Sequence, residues 1–297
     1  MYSQGKNREK KTSFKVNEEA LLFDFAMRKM GSMSKTSLKN LLAKGLITVN
    51  GNTVKRPDQP LVKGDVVEIS FKKASVGLNS SKLSIIYEDD YIIVVNKAAG
   101  VLSVATDKNE TDTAFRIVMN HFKKEDLRNR IYIVHRLDRE TSGVLLFAKS
   151  KEIQTALQQN WQSCVLEKKY YAIVEGVIEE ENGTIHSWLY EEPKSKKVYS
   201  FNYDNGGLES FTDFKVVKRF ANYTALDVNL RTGRKNQIRV HLQSIGHPII
   251  GDKKYGGSPS PIGRIGLHAE RLVIQHPVTH KTLVLEAPLP EKMQKFR

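Results

Sequence analysis

The chain has 297 residues, and 40% of them are hydrophobic, which is enough for a folded core and excludes an intrinsically disordered protein. Its single cysteine, Cys164, excludes an intramolecular disulfide framework and a thiolate zinc cluster, and is typical of a protein from a reducing cytosol. The formal net charge of +14 favours a polyanionic partner, nucleic acid or an anionic membrane, although many proteins are basic only for solubility.

The N-terminal 15 residues carry five basic side chains, one acidic side chain and little that could be buried. This composition predicts a flexible basic arm over residues 1–15, without the apolar segment of a signal peptide. The sequence also lacks the run of roughly 18 apolar residues that a membrane span requires. We therefore expect a cytoplasmic protein that does not associate with membranes.

Two helices are predicted at the start of a small domain over residues 16–73. Asn17 can cap the first helix, its apolar side chains run from Ala20 to Met27, and Gly31 ends it. The second helix begins at about Ser34. Its basic residues are Lys35, Lys39 and Lys44. A charged helix face is usually only solvated, so the lysines alone leave solvation and RNA binding both open.

A β-hairpin is predicted after the second helix. The turn Asn50-Gly51 separates a strand at Leu46–Val49 from a return strand at Thr53-Val54. A further strand is predicted at Val66–Phe71. Residues 74–83 are small and polar, which predicts a flexible linker.

Short β-rich runs dominate residues 84–297. They lie at Ser84–Tyr87, Tyr91–Asn96, Val144–Ala148, Tyr170–Val177, Phe211–Val217, Thr224–Leu230 and Thr282–Ala287, with helical patterns at Thr113–Phe122, Ile153–Gln162 and Lys235–Ile245. Because regular helices do not separate the strands, a doubly wound parallel sheet is disfavoured. We expect an α+β domain with a mixed, mostly antiparallel sheet, preceded by the small α/β domain.

Reactive side chains are densest in the polar loop at residues 135–143, which lies between two apolar strands. Asp138 is flanked by Arg136 and Arg139, and nearby positive charge keeps a carboxylate ionised. An ionised, positioned aspartate can act as a nucleophile, a base or an ion-pair partner. From spacing alone, a purely structural salt bridge is favoured over a catalytic role.

The run HRLDRETSG in that loop resembles the HRLDxxTSG signature of the RluA-type pseudouridine synthases. Other segments resemble that family in the same order: YEDDY from Tyr87, KKYYA from Lys168, TGRKNQIRVH from Thr232, GHP from Gly246 and LHA from Leu267. The resemblance spans residues 84–297. It implies the pseudouridine synthase fold and an isomerase that converts specific uridines of RNA to pseudouridine.

The resemblance also implies the roles of particular residues. Asp138 matches the catalytic nucleophile or base, and Arg239 matches the arginine that pairs with the aspartate. Tyr170 matches the tyrosine that stacks on the target base, for which the family also allows proton abstraction from C5 or C2′. The expected RNA contacts in this domain include Arg136, which matches the residue that fills the space of the flipped base. Arg234 and His241 are the candidate phosphate contacts, with a packed or solvated side chain as an almost equally favoured alternative.

No cofactor and no metal are expected, because the isomerisation involves neither redox change nor energy input. The sequence has no P-loop and no dinucleotide-binding fingerprint. His276 and His280 have i, i+4 spacing, but Pro277 between them disfavours a shared helix face and a metal site.

Residues 16–73 resemble the alpha-L RNA-binding module of a small-subunit ribosomal protein and of several RNA-modifying enzymes. The segment SKTSLKNLLAKGLITVNGNTV carries this resemblance, and it implies that the three helix lysines contact RNA phosphates. Within the synthase family, an attached module of this kind implies large-subunit ribosomal RNA as the substrate, with transfer RNA second. The family also implies a monomer.

Two residues depart from the family pattern: Ala98 stands where proline is usual and Asn236 where histidine is usual. Both lie outside the catalytic set. A catalytically idle RNA-binding protein is the main alternative, although binding alone would not require a carboxylate at Asp138 beside a polyanion. A glycoside hydrolase would need two carboxylates about 5–10 Å apart. Asp138 and Glu140 could form that pair, but the basic loop suits RNA better than a neutral sugar.

Overall fold

The computed structural model describes residues 11–31, 33–43, 45–70, 78, 80–105, 110, 112–124 and 128–297. The chain divides into two units, Met1–Gly77 and Leu78–Arg297. Among the described residues, no helix is long and apolar enough to cross a membrane.

The described residues of the first unit form two helices and six short strands. In chain order they are β1 (Lys11–Lys15), β2 (Ala20–Leu21), α1 (Leu22–Lys29), α2 (Lys35–Ala43), β3 (Ile47–Val49), β4 (Asn52–Thr53), β5 (Pro60–Leu61) and β6 (Val66–Ser70). Four strands form a sheet in the order β1-β6-β3-β4, and β2 pairs with β5. Leu22 of α1 and Leu38 of α2 are fully buried against this sheet in one apolar core.

The predicted hairpin turn is confirmed, since Asn50 and Gly51 adopt φ angles of 52° and 81° between β3 and β4. The prediction of a flexible arm is wrong for residues 11–15, which pair with β6 as β1. Phe14 gives the physical reason, because its ring packs against the core of this unit. Residues 1–10 lie outside the described part of the chain. Helix α1 begins at Leu22 without a side-chain cap, so the predicted cap at Asn17 is also wrong.

The second unit is rich in strands. Its strands are β7 (Leu83–Glu88), β8 (Ile92–Lys97), β9 (Tyr132–Ile133), β10 (Ser142–Ala148), β11 (Val165–Glu175), β12 (Asn182–Glu191), β13 (Val198–Phe201), β14 (Leu208–Arg219), β15 (Tyr223–Leu230), β16 (Leu267–Gln275) and β17 (Thr282–Glu286). Its helices are α3 (Ala114–Lys123), α4 (Lys151–Gln159), α5 (Trp161–Cys164), α6 (Gln237–Ser244) and α7 (Glu291–Gln294).

All of these strands belong to one 11-stranded sheet. Nine follow the order β13-β12-β14-β15-β11-β16-β10-β8-β7, while β17 pairs with β16 and β9 with β10. Only the β10–β16 pair is parallel among the described pairings, which confirms the predicted α+β fold with a mostly antiparallel sheet. Because β16 lies between β10 and β11, the loop that precedes β10 is brought close to residues of β11.

Gly143 permits the close approach of β10 to β16. Its φ angle is 116°, a conformation that side-chain-bearing residues rarely adopt. A Cβ atom at this position would clash with the backbone of Ala269 on β16. Gly143 is the last residue of the segment HRLDRETSG. Its contact with β16 therefore gives this segment a structural role in the sheet.

Three strands of the second unit's sheet were not predicted: β12, β13 and β16. In β12 the buried positions include Ser187 between Ile185 and Leu189, so a polar residue interrupts the apolar alternation that indicates a strand. The single helix expected over Ile153–Gln162 divides into α4 and α5. Helix α6 begins at Gln237 and packs Ile238 and Leu242 into the core of the sheet.

Candidate active site

The polar loop between β9 and β10 is fixed by backbone contacts on both sides of Asp138. The Ser103 hydroxyl donates to the Leu137 carbonyl at 2.7 Å and accepts from the Leu137 N–H at 3.0 Å. After Asp138, the Arg139 carbonyl accepts from the Gly100 N–H at 2.9 Å. The carboxylate is therefore presented by a loop whose backbone is held at both neighbouring residues.

Lys97 anchors the same loop from the end of β8. It is fully buried, and its Nζ donates to the carbonyls of Val101 at 2.7 Å, Ala98 at 3.1 Å and Arg139 at 3.1 Å. Burial lowers the pKa of Lys97 to about 7, a shift that the charges of Asp138 and Glu140 partly offset. Three carbonyl acceptors match the three N–H donors of an ammonium group, so this geometry binds the charged form.

Arg239, from α6, reaches Asp138 across 101 residues of sequence. Its Nη1 donates to Asp138 Oδ2 at 2.9 Å, with 11% of the arginine side chain and 27% of the aspartate side chain exposed. Burial lowers the pKa of Arg239, but hydrogen bonds and charge from Asp252 and then Asp138 outweigh it, so the net pKa is raised. The guanidinium therefore remains positive where it contacts the Asp138 side chain.

Asp252 holds Arg239 from the opposite side. Its two carboxylate oxygens accept from Arg239 Nε at 2.7 Å and Nη2 at 2.8 Å, a bidentate pair, and its side chain is 1% exposed. Asp252 Oδ1 also accepts from the backbone N–H groups of Lys254 and Tyr255, each at 3.2 Å. Asp252 thus fixes the guanidinium so that only Nη1 points to Asp138. The sequence did not predict this partnership of Asp252 with Arg239.

Asn236 completes the surroundings of Arg239. Its Oδ1 accepts from Arg239 Nη1 at 3.1 Å, and its Nδ2 donates to the Tyr255 hydroxyl at 2.9 Å. The Tyr255 ring lies 5.1 Å from the guanidinium carbon, within cation–π range. Asn236 has φ 55° at the start of α6, a left-handed conformation that asparagine tolerates better than most residues. Asn236, which stands where the family usually has histidine, therefore contacts and supports Arg239 directly.

The departure at Ala98 also has a structural consequence. The Ala98 N–H donates to the Lys82 carbonyl at 2.9 Å, next to the pairing of β7 with β8. Proline has no N–H and would not make this bond.

Tyr170, on β11, lines the cleft that contains Asp138 and Arg239. Its ring packs against two apolar clusters of the second unit. Burial, followed by the negative charge of Asp138, raises the pKa of the Tyr170 phenol above its usual value. The hydroxyl is therefore protonated at neutral pH, and the ring offers an apolar face to the cleft.

The six predicted RNA-contact residues have different environments. Arg136 and Arg234 are exposed and line the cleft, whereas Lys35 and Lys39 are exposed on α2 of the first unit. Lys44 lies outside the described residues. The prediction for His241 is wrong, because this side chain is fully buried and bonded to the hydroxyls of Ser187 at 2.9 Å and Thr212 at 2.8 Å.

His241 is a structural residue of the core. Burial, and then the charge of His186, lowers its pKa to about 4, so it is neutral at physiological pH. A neutral ring bonded to two hydroxyls has no role at a phosphate. Its position two residues after Arg239 turns it away from the cleft, since a helix rotates by about 100° per residue.

Comparison with known proteins gives a consistent result. Residues 91–244 match a family model described as RNA pseudouridylate synthase. An uncharacterised RNA pseudouridine synthase of Bacillus subtilis (strain 168) is 33% identical over 88% of this chain and 87% of its own. Ribosomal large subunit pseudouridine synthase D of Pasteurella multocida (strain Pm70) is 32% identical over 86% of this chain and 84% of its own. The solved structure of human RNA pseudouridylate synthase domain containing 1 has a TM-score of 0.57 and 26% identity, covering 71% of this chain and 86% of that one.

Proposed function

Because the chain belongs to the RNA pseudouridylate synthase family, we propose that it isomerises uridines of large-subunit ribosomal RNA with Asp138 as the catalytic carboxylate. The observation that carries the catalytic assignment is the 2.9 Å ion pair between Asp138 and the buried Arg239, in a cleft that Tyr170 lines. The name of the Pasteurella relative, ribosomal large subunit pseudouridine synthase D, supports large-subunit ribosomal RNA as the substrate. Transfer RNA is the second candidate.

The reaction is balanced without a co-reactant. The bond from C1′ to N1 of uracil breaks, the bond from C1′ to C5 forms, C5 loses a proton and N1 gains one. Asp138 acts in its ionised form, as a nucleophile toward the sugar or as a base. Arg239 occupies Oδ2 of Asp138, so we assign Oδ1 to the substrate.

Tyr170 contributes its ring. A general base works best when its pKa lies near the working pH, and the pKa of Tyr170 is raised instead. This favours stacking on the detached uracil over proton abstraction. The ring would hold the base in the cleft while it turns to present C5 to the sugar.

The target uridine has to leave its stack to reach Asp138, at a cost of a few kcal/mol. Arg136 is exposed beside Leu137 and Asp138 at the cleft, where its side chain can occupy the space that the flipped base leaves. Arg234 is exposed at the same cleft and is our second candidate for a phosphate contact.

We assign RNA delivery to the first unit. Its two helices, hairpin and following strand support the alpha-L module inferred for residues 16–73, with Lys35 and Lys39 exposed on α2. Phosphate contacts from such lysines add affinity without selecting a sequence. In this account the enzyme works as a cytoplasmic monomer.

The test is pseudouridine mapping on total RNA from cells that contain the wild type, Asp138→Asn or no enzyme. A matched control is Asp90→Asn, which changes an exposed carboxylate elsewhere in the second unit. We expect at least one site in large-subunit ribosomal RNA that requires the wild type and survives the Asp90 substitution. A site confined to transfer RNA would overturn the substrate assignment alone.

Identical pseudouridine profiles in all strains would contradict the catalytic proposal if purified wild-type enzyme also failed to modify the same RNA. That combined outcome would favour an idle RNA-binding protein. Modification by purified enzyme would instead show that another synthase had covered the site in cells.

A further inference from the structure

The outer face of β12, β13 and β14 carries a continuous aromatic surface. Cross-strand pairing aligns Tyr190 with Tyr199, Trp188 with Phe201, and His186 with Phe211. The rings of His186 and Phe211 stack with centroids 4.2 Å apart, and those of His186 and Trp188 lie 4.7 Å apart. These six residues form what we call the aromatic face. The opposite side of the same strands is buried beneath α6, so the aromatic face is not part of the core.

This aromatic face is open to solvent. Tyr190 is 42% and Tyr199 is 41% exposed, and Tyr203, just after β13, is 60% exposed. Among the described phenylalanine, tryptophan and tyrosine side chains elsewhere in the chain, only Tyr91 is similarly exposed. Aromatic rings that gather at one place on a surface mark a binding site more often than single exposed rings do.

A group of lysines lies at one end of the aromatic face. The turn from β12 to β13 contains Lys194, Lys196 and Lys197, and the Lys196 carbonyl accepts from Nζ of Lys235 at 3.4 Å and of Lys254 at 3.0 Å. We call these five residues the lysine turn. The neighbouring acidic residues are Glu191 at the end of β12 and Glu192 in the turn, so five lysines less two glutamates leave a local charge of +3.

The lysine turn is continuous with the candidate active site. Lys254 follows Asp252 by two residues, and its backbone N–H donates to the Asp252 carboxylate. Burial lowers the pKa of Lys254, and repulsion from Lys235 and Arg239 lowers it further, while the charges of Asp138 and Glu191 partly offset this. A polyanionic strand leaving the cleft would therefore meet the lysine turn before it meets the aromatic face.

We propose that the lysine turn and the aromatic face bind a single-stranded segment of the substrate RNA adjacent to the target uridine. Phosphates would contact the lysines, and bases would stack on Tyr190 and Tyr199. Positive charge beside exposed rings is the combination that binds single-stranded nucleic acid, whereas a protein-binding patch would not need the lysines. The proposal rests on the proposed function only in taking RNA as the substrate.

The test measures the affinity of the full chain for a fluorescein-labelled oligouridylate of about 12 nucleotides, within the usual range of site sizes for single strands. One variant combines Tyr190→Leu and Tyr199→Leu, which removes the rings and keeps apolar side chains. Its matched control is Tyr91→Leu, at the other exposed aromatic ring, 37% exposed. A second variant combines Lys194→Gln and Lys197→Gln, with Lys151→Gln and Lys281→Gln together as its charge control.

We expect the double tyrosine variant to bind at least about fivefold more weakly, because it removes both rings on which the bases would stack. Its salt dependence should match that of the wild type. The double lysine variant should instead reduce the slope of log affinity against log salt by about 0.7 for each phosphate that a lysine no longer neutralises. Photocrosslinking with 4-thiouridine in the oligomer should label the peptide that contains Tyr190 and Tyr199.

An affinity of the double tyrosine variant within twofold of the wild type, or an equal loss in the Tyr91 control, would overturn the proposal and leave the aromatic face to a protein partner. Pseudouridine formation on ribosomal RNA is measured in parallel. If the wild type modifies RNA but the tyrosine and lysine variants bind the oligouridylate normally, only the proposed binding surface is refuted. If the wild type modifies no RNA but these variants lose affinity for the oligouridylate, only the enzymatic assignment is refuted.

Discussion

Substituting Asp252 by alanine should disturb both the stability and the chemistry of the protein. Asp252 is 2% exposed and accepts four hydrogen bonds, two of them from the Arg239 guanidinium. Removing one partner of a buried ion pair typically costs about 3–5 kcal/mol. Asp138 would still pair with Arg239, so we expect a loss near the lower end, about 3 kcal/mol in the free energy of unfolding.

Asp252→Asn keeps the shape of the side chain but removes its negative charge. The amide keeps one acceptor oxygen but loses the charge and the bidentate pair, so we expect a smaller loss of about 1.5 kcal/mol. In both variants the Arg239 guanidinium loses the bidentate contact that holds Nη1 in its orientation toward Asp138. We therefore expect kcat for pseudouridine formation to fall while KM changes little, because Asp252 does not line the cleft.

Urea denaturation of the wild type and both variants measures the free energy of unfolding, and single-turnover kinetics on a modified RNA measures the chemical step. Asp204→Ala is the control, since Asp204 is exposed in the loop after β13. A free energy of unfolding for Asp252→Ala within about 0.5 kcal/mol of the wild type would refute the assigned role of the buried pair.

Three further predictions concern stability and RNA binding. Burial is the main cause that lowers the pKa of both His241 and His268 to about 4, so as the pH falls the unfolded state takes up their protons before the folded state does. The free energy of unfolding should therefore fall by up to about 2 kcal/mol per histidine between pH 7 and pH 5 in urea titrations. An unchanged free energy of unfolding would contradict this. Gly143→Ala should lower the free energy of unfolding by about 3 kcal/mol or more in the same assay. Gly206→Ala is the control, because Gly206 also has a positive φ angle but open space around it, and should cost about 1 kcal/mol. Equal costs would contradict the close approach of β10 and β16. Removing residues 1–77 should weaken RNA binding while circular dichroism still shows a cooperatively unfolding second unit, and loss of folding would show that the boundary is wrong.

The sequence was sufficient to predict the fold class and the approach of Arg239 to Asp138. The fold followed from many short apolar runs without regular helices between them, and the pair followed from two segments that resemble one family. The distance of 2.9 Å between residues 101 positions apart is consistent with the pairing that the resemblance implied. Periodicity alone would have left Asp138 as a structural residue.

What the sequence did not predict depends on contacts between distant segments. Asp252 acquires its function only when the loop after α6 folds back onto Arg239, and no local pattern encodes that return. His241 looked like a phosphate ligand in the linear motif, but helical rotation directs it into the core against Ser187. The aromatic face arises from the pairing of β12, β13 and β14, and two of these strands were missed because polar residues interrupt their alternation.

Tritium release tests most directly whether Asp138 carries out the isomerisation of uridine. Ribosomal RNA carrying tritium at C5 of uridine is incubated with purified wild type, Asp138→Asn or the Asp90→Asn control, since C5 loses its hydrogen only when the new carbon–carbon bond forms. We expect release with the wild type and the control, and a loss of at least about a thousandfold with Asp138→Asn, as for other essential catalytic groups. Release by Asp138→Asn at a rate near that of the wild type would contradict the assignment of the catalytic carboxylate.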